Sequence, residues 1–133
     1  PQGVCILLET SKSFCREYLS SIDLAIYNPE YTILRDKLNF PTCMNKVIKA
    51  DGLAGGKGVF VYGDHFETDE EAHQILETLF QTHDKVLLED KLVGEEFSLI
   101  SLAWKGNIIH FPLIKDLISF SVKTPERPSL QSR

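Results

Sequence analysis

The chain has 133 residues, 43% of them hydrophobic, which is enough apolar material for a packed core and the ordinary size of one domain. Nineteen acidic against 14 basic residues leave a formal charge of -5, and no cluster of lysine and arginine offsets it, so a nucleic-acid surface is excluded. Cys5, Cys15 and Cys43 are odd in number, widely spaced and without a C-x-x-C pair, which argues for reduced thiols rather than a disulfide framework or a zinc site.

Residues 1–8 hold an apolar run too short to span a bilayer and lack a basic leader or a cleavage signal, so no targeting segment is expected. A chain that starts on proline rather than methionine reads as a piece of a longer one. Thr10 and Ser11 offer N-cap oxygens, and Phe14, Tyr18 and Leu19 recur at helical spacing, which predicts an amphipathic helix over 11–21. Lys12 falls in its first turn, where the helix dipole disfavours a cation, and that placement invites a functional reading. A short strand is expected over 24–27, followed by a helix opened by Pro29 and running to about residue 38. Residues 40–45 form a loop, and Cys43 within it reads as a plain loop cysteine.

Residues 46–49 and 59–62 are short, apolar and β-branched, and predict two strands around a loop that holds four of the eight glycines, Gly52, Gly55, Gly56 and Gly58. Glycines at that density let backbone N–H groups face an anion, and Lys49 and Lys57 add positive charge beside them. A Walker A loop fails because Gly52 and Gly56 enclose three residues instead of four and a strand follows instead of a helix. The dinucleotide spacing G-x-G-x-x-G is also missing. An ordinary glycine-rich hairpin loop and a phosphate-holding flap therefore both remain open.

Thr68 and Glu71 form a capping box, and Ala72, Ile75, Leu76, Leu79 and Phe80 follow at i, i+3, i+4, i+7 and i+8, which predicts a helix over 68–82 with its acids in water. His65, His73 and His83 share no ligand spacing and read as surface histidines. Residues 85–89 predict a buried strand, then a linker, 91–94, and the carboxylate pair Glu95-Glu96. Taken alone, these acids also suit paired catalytic carboxylates, but a glycosidase would leave the glycine loop unused. Residues 97–104 and 107–113 predict two strands of one sheet, joined at Lys105-Gly106. The polar, proline-containing stretch 124–133 is expected to be disordered or a foreign tail.

Three segments in order, LETSKSF at 8–14, KADGLAGGKGV at 49–59 and LLEDKLVGEEFS at 87–98, resemble glycinamide ribonucleotide synthetase (phosphoribosylamine-glycine ligase) of the ATP-grasp superfamily. The resemblance covers roughly residues 8 to 113 and implies a partial α+β ATP-grasp fold: an antiparallel sheet with packed helices and a glycine-rich flap. It divides the chain into a linker and first part (1–45), a nucleotide-binding lobe (46–113) and a divergent tail (114–133). It implies ATP as the cofactor, with Lys12 and Lys49 on its phosphates and Gly55, Gly56, Lys57 and Gly58 as a closing flap. Glu89, Asp90, Lys91 and Leu92 would hold the base, and Glu95 or Glu96 the ribose.

Asp116 aligns with a substrate-binding position, and the pattern is lost from Leu117 onward, where the family shows Gln-Asp-His-Lys-Arg and a second glycine loop. Mg2+ is expected in the complete enzyme, with ligands beyond this chain, so no metal ligand is assigned here. The implied partners are glycine, 5-phosphoribosylamine and the rest of the parent chain, in a cytoplasmic setting, with neither nucleic acid nor membrane. A truncated or non-catalytic nucleotide-binding module and another ATP-grasp substrate, as in biotin-carboxylase-like or carbamoyl-forming enzymes, remain open.

Overall fold

The computed structural model describes residues 2–36, 39–52 and 58–115. In chain order they form α1 (Gln2–Thr10), α2 (Lys12–Ser21), a 3-10 turn (Ala25–Tyr27), β1 (Tyr31–Leu34), β2 (Lys46–Ala50), β3 (Val59–Val61), α3 (Asp69–Leu79) and β4 (Val86–Asp90). Four short strands follow: β5 (Phe97–Ser98), β6 (Ser101–Trp104), β7 (Asn107–His110) and β8 (Ile114–Lys115). The chain divides into two units, Pro1–Leu92 and Val93–Arg133.

In the first unit an antiparallel sheet runs in the order β1-β4-β2-β3, with Ile48 opposite both Leu88 and Phe60. Alternation along the strands sends Ile48, Ala50, Val86 and Leu88 to one face, where they pack with Ala72, Leu76 and Leu79 of α3 and with Phe66, Phe80 and Cys43. Leu87 and Glu89 are also buried and point to the opposite face, which carries Lys49 and is met by Arg16 of α2. The central strand β4 is thus covered on both sides, which is why it reads as a continuous apolar run ending in an acid.

Helix α3 starts where its capping box requires. Thr68 Oγ1 accepts from Glu71 N at 3.2 Å, and the Glu71 carboxylate accepts from Thr68 N at 3.3 Å. Asp69, Glu70 and Glu71 in the first turn suit the helix dipole. Truncating the fully buried Leu76 to alanine would cost about 2–5 kcal/mol.

The strands near 46–49, 59–62 and 85–89 and the helices near 11–21 and 68–82 form as the sequence predicts. Three expectations are corrected. Residues 25–27 form a 3-10 turn closed by Asn28 N donating to Ala25 O at 2.9 Å, not a strand. Ile26 and Tyr27 are 82% and 72% exposed, so a strand there would gain no packing.

The helix expected after Pro29 is replaced by β1, whose Tyr-Thr-Ile-Leu composition favours a pleated surface and pairs along the edge of β4. The proline precedes a strand, a position as acceptable for it as a helix start. Finally, the run 97–104 is interrupted at Leu99-Ile100. β5 pairs with β8 and β6 with β7, so the expected single sheet is two separate two-stranded ones. The register of the hairpin is set by Lys105 and Gly106, both at positive φ (45° and 81°), as a tight two-residue turn requires.

Candidate functional site

Strand β2 carries the chemistry. Val47 lies opposite Glu89 in the sheet register, and Lys49, two residues on, shares that face. Lys49 Nζ pairs with Glu89 Oε2, while Arg16 Nε donates to Glu89 Oε1 at 2.5 Å and Arg16 Nη1 to Asn28 Oδ1 at 3.3 Å. Glu89 is 2% exposed, and burial alone would raise its pKa, but the hydrogen bonds and charges of Arg16 and Lys49 hold the carboxyl below its ordinary range. One carboxylate thus sits between two cations, each of its oxygens on a different partner.

A second cluster forms where β2 ends. Ser11 caps α2 by accepting from Phe14 N at 3.1 Å. Asp51 accepts from Ser13 N at 3.1 Å, from Ser13 Oγ at 2.5 Å and from Ser11 Oγ at 3.1 Å. Burial pushes the Asp51 carboxyl up, but these serine hydrogen bonds and the charge of Lys85 outweigh it, leaving the group more acidic than usual.

Lys12 Nζ donates to Ala50 O at 3.0 Å and Gly52 O at 2.9 Å, so the first turn of α2 is tied to the start of the glycine loop. Gly52 adopts φ 102°, a conformation open to glycine, and at the far side of the loop Ala50 N donates to Gly58 O at 2.7 Å. A cleft of about 310 Å³ opens beside this cluster, between Ser11, Asp51 and Gly52 and the segment His83 to Lys85.

The remaining site residues distribute as follows. Asp90 pairs with Lys46, its cross-strand neighbour. Lys91 Nζ donates to Tyr62 O at 2.7 Å and lies 3.8 Å from the Asp64 carboxylate, while its backbone N donates to Asn45 O at 2.9 Å. Leu92 is 75% exposed. Glu95 and Glu96 belong to the second unit, where Glu95 makes an exposed ion pair with Lys115 at 2.6 Å. Gly55, Gly56, Lys57 and Asp116 lie outside the described residues.

Within the first unit, Lys12 therefore sits at the loop end of β2, on Ala50 O and Gly52 O, while Glu89, opposite Val47, lies with Asp90 and Lys91 toward the start of the strand and draws the Lys49 ammonium that way. Asp51, Ser13 and Arg16 escaped the sequence reading. Asp51 was within reach, because it lies two residues from Lys49 at the entry to the glycine loop. Arg16 gave no signal, since its partner lies 73 residues away.

Solved structures share this architecture. D-alanyl-alanine synthetase A from Vibrio cholerae matches 81% of this chain and 33% of its own, with a TM-score of 0.64 at 15% identity. Phosphoribosylamine-glycine ligase from Thermotoga maritima matches 78% of this chain and 28% of its own, with a TM-score of 0.61 at 23% identity. These likenesses define the class of fold, an α+β ATP-grasp lobe, here in part.

The model of the phosphoribosylglycinamide synthetase ATP-grasp (A) domain matches residues 10–120, and the chain belongs to that family. Among its relatives is the phosphoribosylamine-glycine ligase of Methanococcus maripaludis, 34% identical over an alignment of 127 residues that covers 87% of this chain and 29% of the relative. The ligase of the same name from Pyrococcus abyssi is 32% identical over 114 residues, 82% of this chain and 26% of the relative. The chain thus spans less than a third of the length of these relatives. No helix among the described residues is long and apolar enough to cross a membrane.

Proposed function

We propose that this chain supplies the nucleotide-holding lobe of an ATP-dependent, cytoplasmic ligase that joins glycine to 5-phosphoribosylamine in purine biosynthesis. The observation that carries the reading is the placing of two lysines along β2, Lys12 on the carbonyls of Ala50 and Gly52 where the glycine loop begins and Lys49 in the strand itself, held by Glu89, within a chain of this family. When bound, ATP provides a γ-phosphoryl group that converts the glycine carboxylate into an acyl phosphate, from which the amine displaces phosphate.

The residues present fit the triphosphate. An ammonium has three donors, and Lys12 commits two to Ala50 O and Gly52 O, leaving one to face an anion. Lys49 gives one donor to Glu89 and keeps the others, and Glu89 holds the lysine in place along the strand. Gly55, Gly56, Lys57 and Gly58 close over the phosphates as a flap and exclude water. The end of β4 and the segment that follows it, Glu89 to Leu92, would meet the adenine edge, with the amides of Asp90 and Lys91 already given to Glu30 O and Asn45 O. Glu95 or Glu96 takes the ribose hydroxyls, and Asp116 approaches the substrate.

Magnesium does not fit Glu89 or Asp51, the two buried or half-buried carboxylates beside these lysines. Glu89 is neutralised by two cations and Asp51 is occupied by two serines, so neither contributes to the set of free oxygens that Mg2+ demands.

The reading is tested by ADP release from the full-length protein carrying this lobe. Release that requires both glycine and 5-phosphoribosylamine supports it. ATP binding by calorimetry without such turnover favours a non-catalytic nucleotide module. The isolated lobe is expected to bind ATP weakly, because ordering a glycine flap costs entropy that a single wall of the cleft does not offset.

A further inference from the structure

On the α3 side of the sheet, away from Lys12 and Lys49, the fold brings together three side chains that are far apart in sequence. Cys43 lies in the loop before β2, Asp69 is the first residue of α3, and His73 follows one turn later on the same helix face. One ligand atom from each, a thiol sulfur, a carboxylate oxygen and an imidazole nitrogen, lies within 4.8 Å of the other two. We propose that Cys43, Asp69 and His73 form a binding site for a divalent cation of the zinc class, with a solvent molecule in the fourth position.

The donor set selects the ion. A thiolate with an imidazole suits a borderline-soft metal such as Zn2+, whereas Mg2+ and Ca2+ ask for oxygen alone. One thiolate and one carboxylate balance the charge of a divalent ion. Tetrahedral zinc places its ligand atoms roughly 3.5 Å apart, so the cluster must contract by about 1 Å. Cys43 is fully buried, while Asp69 and His73 are half-buried, so the contraction falls on the two helix side chains.

The surroundings already hold the ligands in place. Cys43 N and Thr42 Oγ1 both donate to Asp69 Oδ1, at 2.6 and 3.2 Å, which orients the carboxylate and leaves its second oxygen to ligate. The imidazole of His73 rests against Phe40, with centroids 5.4 Å apart, and Phe40 stacks on Phe80 of the core. A ring nitrogen of His73 lies 3.2 Å from Pro41 O, and the Cys43 thiol donates to the same carbonyl at 3.5 Å.

Burial and the Asp69 charge push that thiol up to about 11, so without a cation it stays protonated. As the metal–sulfur bond forms, the S–H proton leaves to solvent and the contact with Pro41 is given up. The ion would clip the loop that leads into β2 onto α3. The sequence hid this cluster because it pairs one cysteine with an Asp-x-x-x-His step instead of two histidines.

The test is titration of the reduced full chain with Co2+, followed by competition with Zn2+. One equivalent of Co2+ should produce thiolate-to-cobalt charge-transfer absorption that Zn2+ abolishes. The band should persist in Cys5→Ser/Cys15→Ser and vanish in Cys43→Ser. Because Cys43→Ser alters a buried position, His73→Gln supplies a second readout: Zn2+ should raise the melting temperature of the parent chain and leave that of His73→Gln unchanged. Absence of the band in the parent chain, its survival in Cys43→Ser, or an equal thermal shift in His73→Gln would each overturn the site and leave the cluster as a hydrogen-bonded clasp between loop and helix.

Discussion

Asp51 places its carboxylate against the first turn of α2, accepting the amide of Ser13 at 3.1 Å and its hydroxyl at 2.5 Å. That helix has no acid of its own in the first turn and carries Lys12 there, against its dipole. The end of β2 thus supplies from outside the anion that the helix lacks. Asp51→Asn removes the charge and keeps the shape, and it should cost about 1–3 kcal/mol, the range for hydrogen bonds to a charged group. Urea unfolding of the two proteins measures the difference; an unchanged midpoint would show that the serines do not depend on the charge.

The acidity of Asp51 and Glu89 gives a pH dependence with a defined sign. Both carboxyls are more acidic in the folded chain than their ordinary values of 3.8 and 4.5. In the unfolded chain they bind protons at higher pH, so their stabilising contribution is complete above the ordinary carboxylate range. It is lost as pH falls through the depressed folded values. Acid unfolding of Asp51→Asn should therefore begin from a lower plateau and show a shallower loss between about pH 5 and pH 2 than the parent. Parallel curves for the two proteins would remove Asp51 from this linkage.

Glu89 makes the sharper case because it is buried between Arg16 and Lys49. Glu89→Gln leaves two cations without their shared counter-charge, and breaking a buried pair in this way costs about 3–5 kcal/mol. Lys49→Met removes one cation but leaves Glu89 still held by Arg16, so it should be the milder change in thermal or urea unfolding. If Lys49→Met proves as damaging as Glu89→Gln, Arg16 does not satisfy the carboxylate by itself.

These contrasts show where the sequence was legible. Local signals sufficed for α3, because Thr68 and Glu71 satisfy one another within a single turn, and for β2 and β4, because their apolar runs are bounded by turn residues. They misled at Pro29. A proline suits the start of either a helix or a strand, and the decision was made by the free edge of β4, a partner more than fifty residues downstream. The family motifs pointed to Lys12, Lys49 and Glu89 as nucleotide ligands. They did not indicate that Glu89 is already committed to Arg16, because that pairing exists only once α2 is laid across the sheet.

Gly52 tests the entry to the loop. It sits at φ 102°, and among the described residues an added Cβ would meet nothing within 4 Å, so Gly52→Ala is penalised by backbone conformation. The expected cost is about 1–2 kcal/mol. Relaxing it requires Gly52 O to swing away from Lys12, so ATP binding by the full-length protein should weaken along with the loss of stability. Unchanged ATP affinity would show that the loop entry does not set the lysine.

Lys12 is the residue on which structural and functional roles can be separated. Its ammonium holds Ala50 O and Gly52 O, which stabilises the loop entry, but it also opposes the dipole of α2 at a cost of about 0.3–1 kcal/mol. Lys12→Met loses the first effect and relieves the second, so stability should fall by only about 1 kcal/mol. If the third donor of Lys12 faces the triphosphate, as the proposed function requires, the same substitution in the full-length protein should lower kcat/KM for ATP by about a hundredfold, equal to roughly 2.7 kcal/mol of charge-assisted binding in a partly desolvated cleft. Lys12→Arg keeps the charge but not the geometry, so it should recover part of the ATP affinity and little of the turnover. A purely structural lysine predicts the opposite pattern: turnover within twofold of the parent at temperatures where Lys12→Met stays folded. That result would take Lys12 out of the phosphate site and leave Lys49 as the cation there.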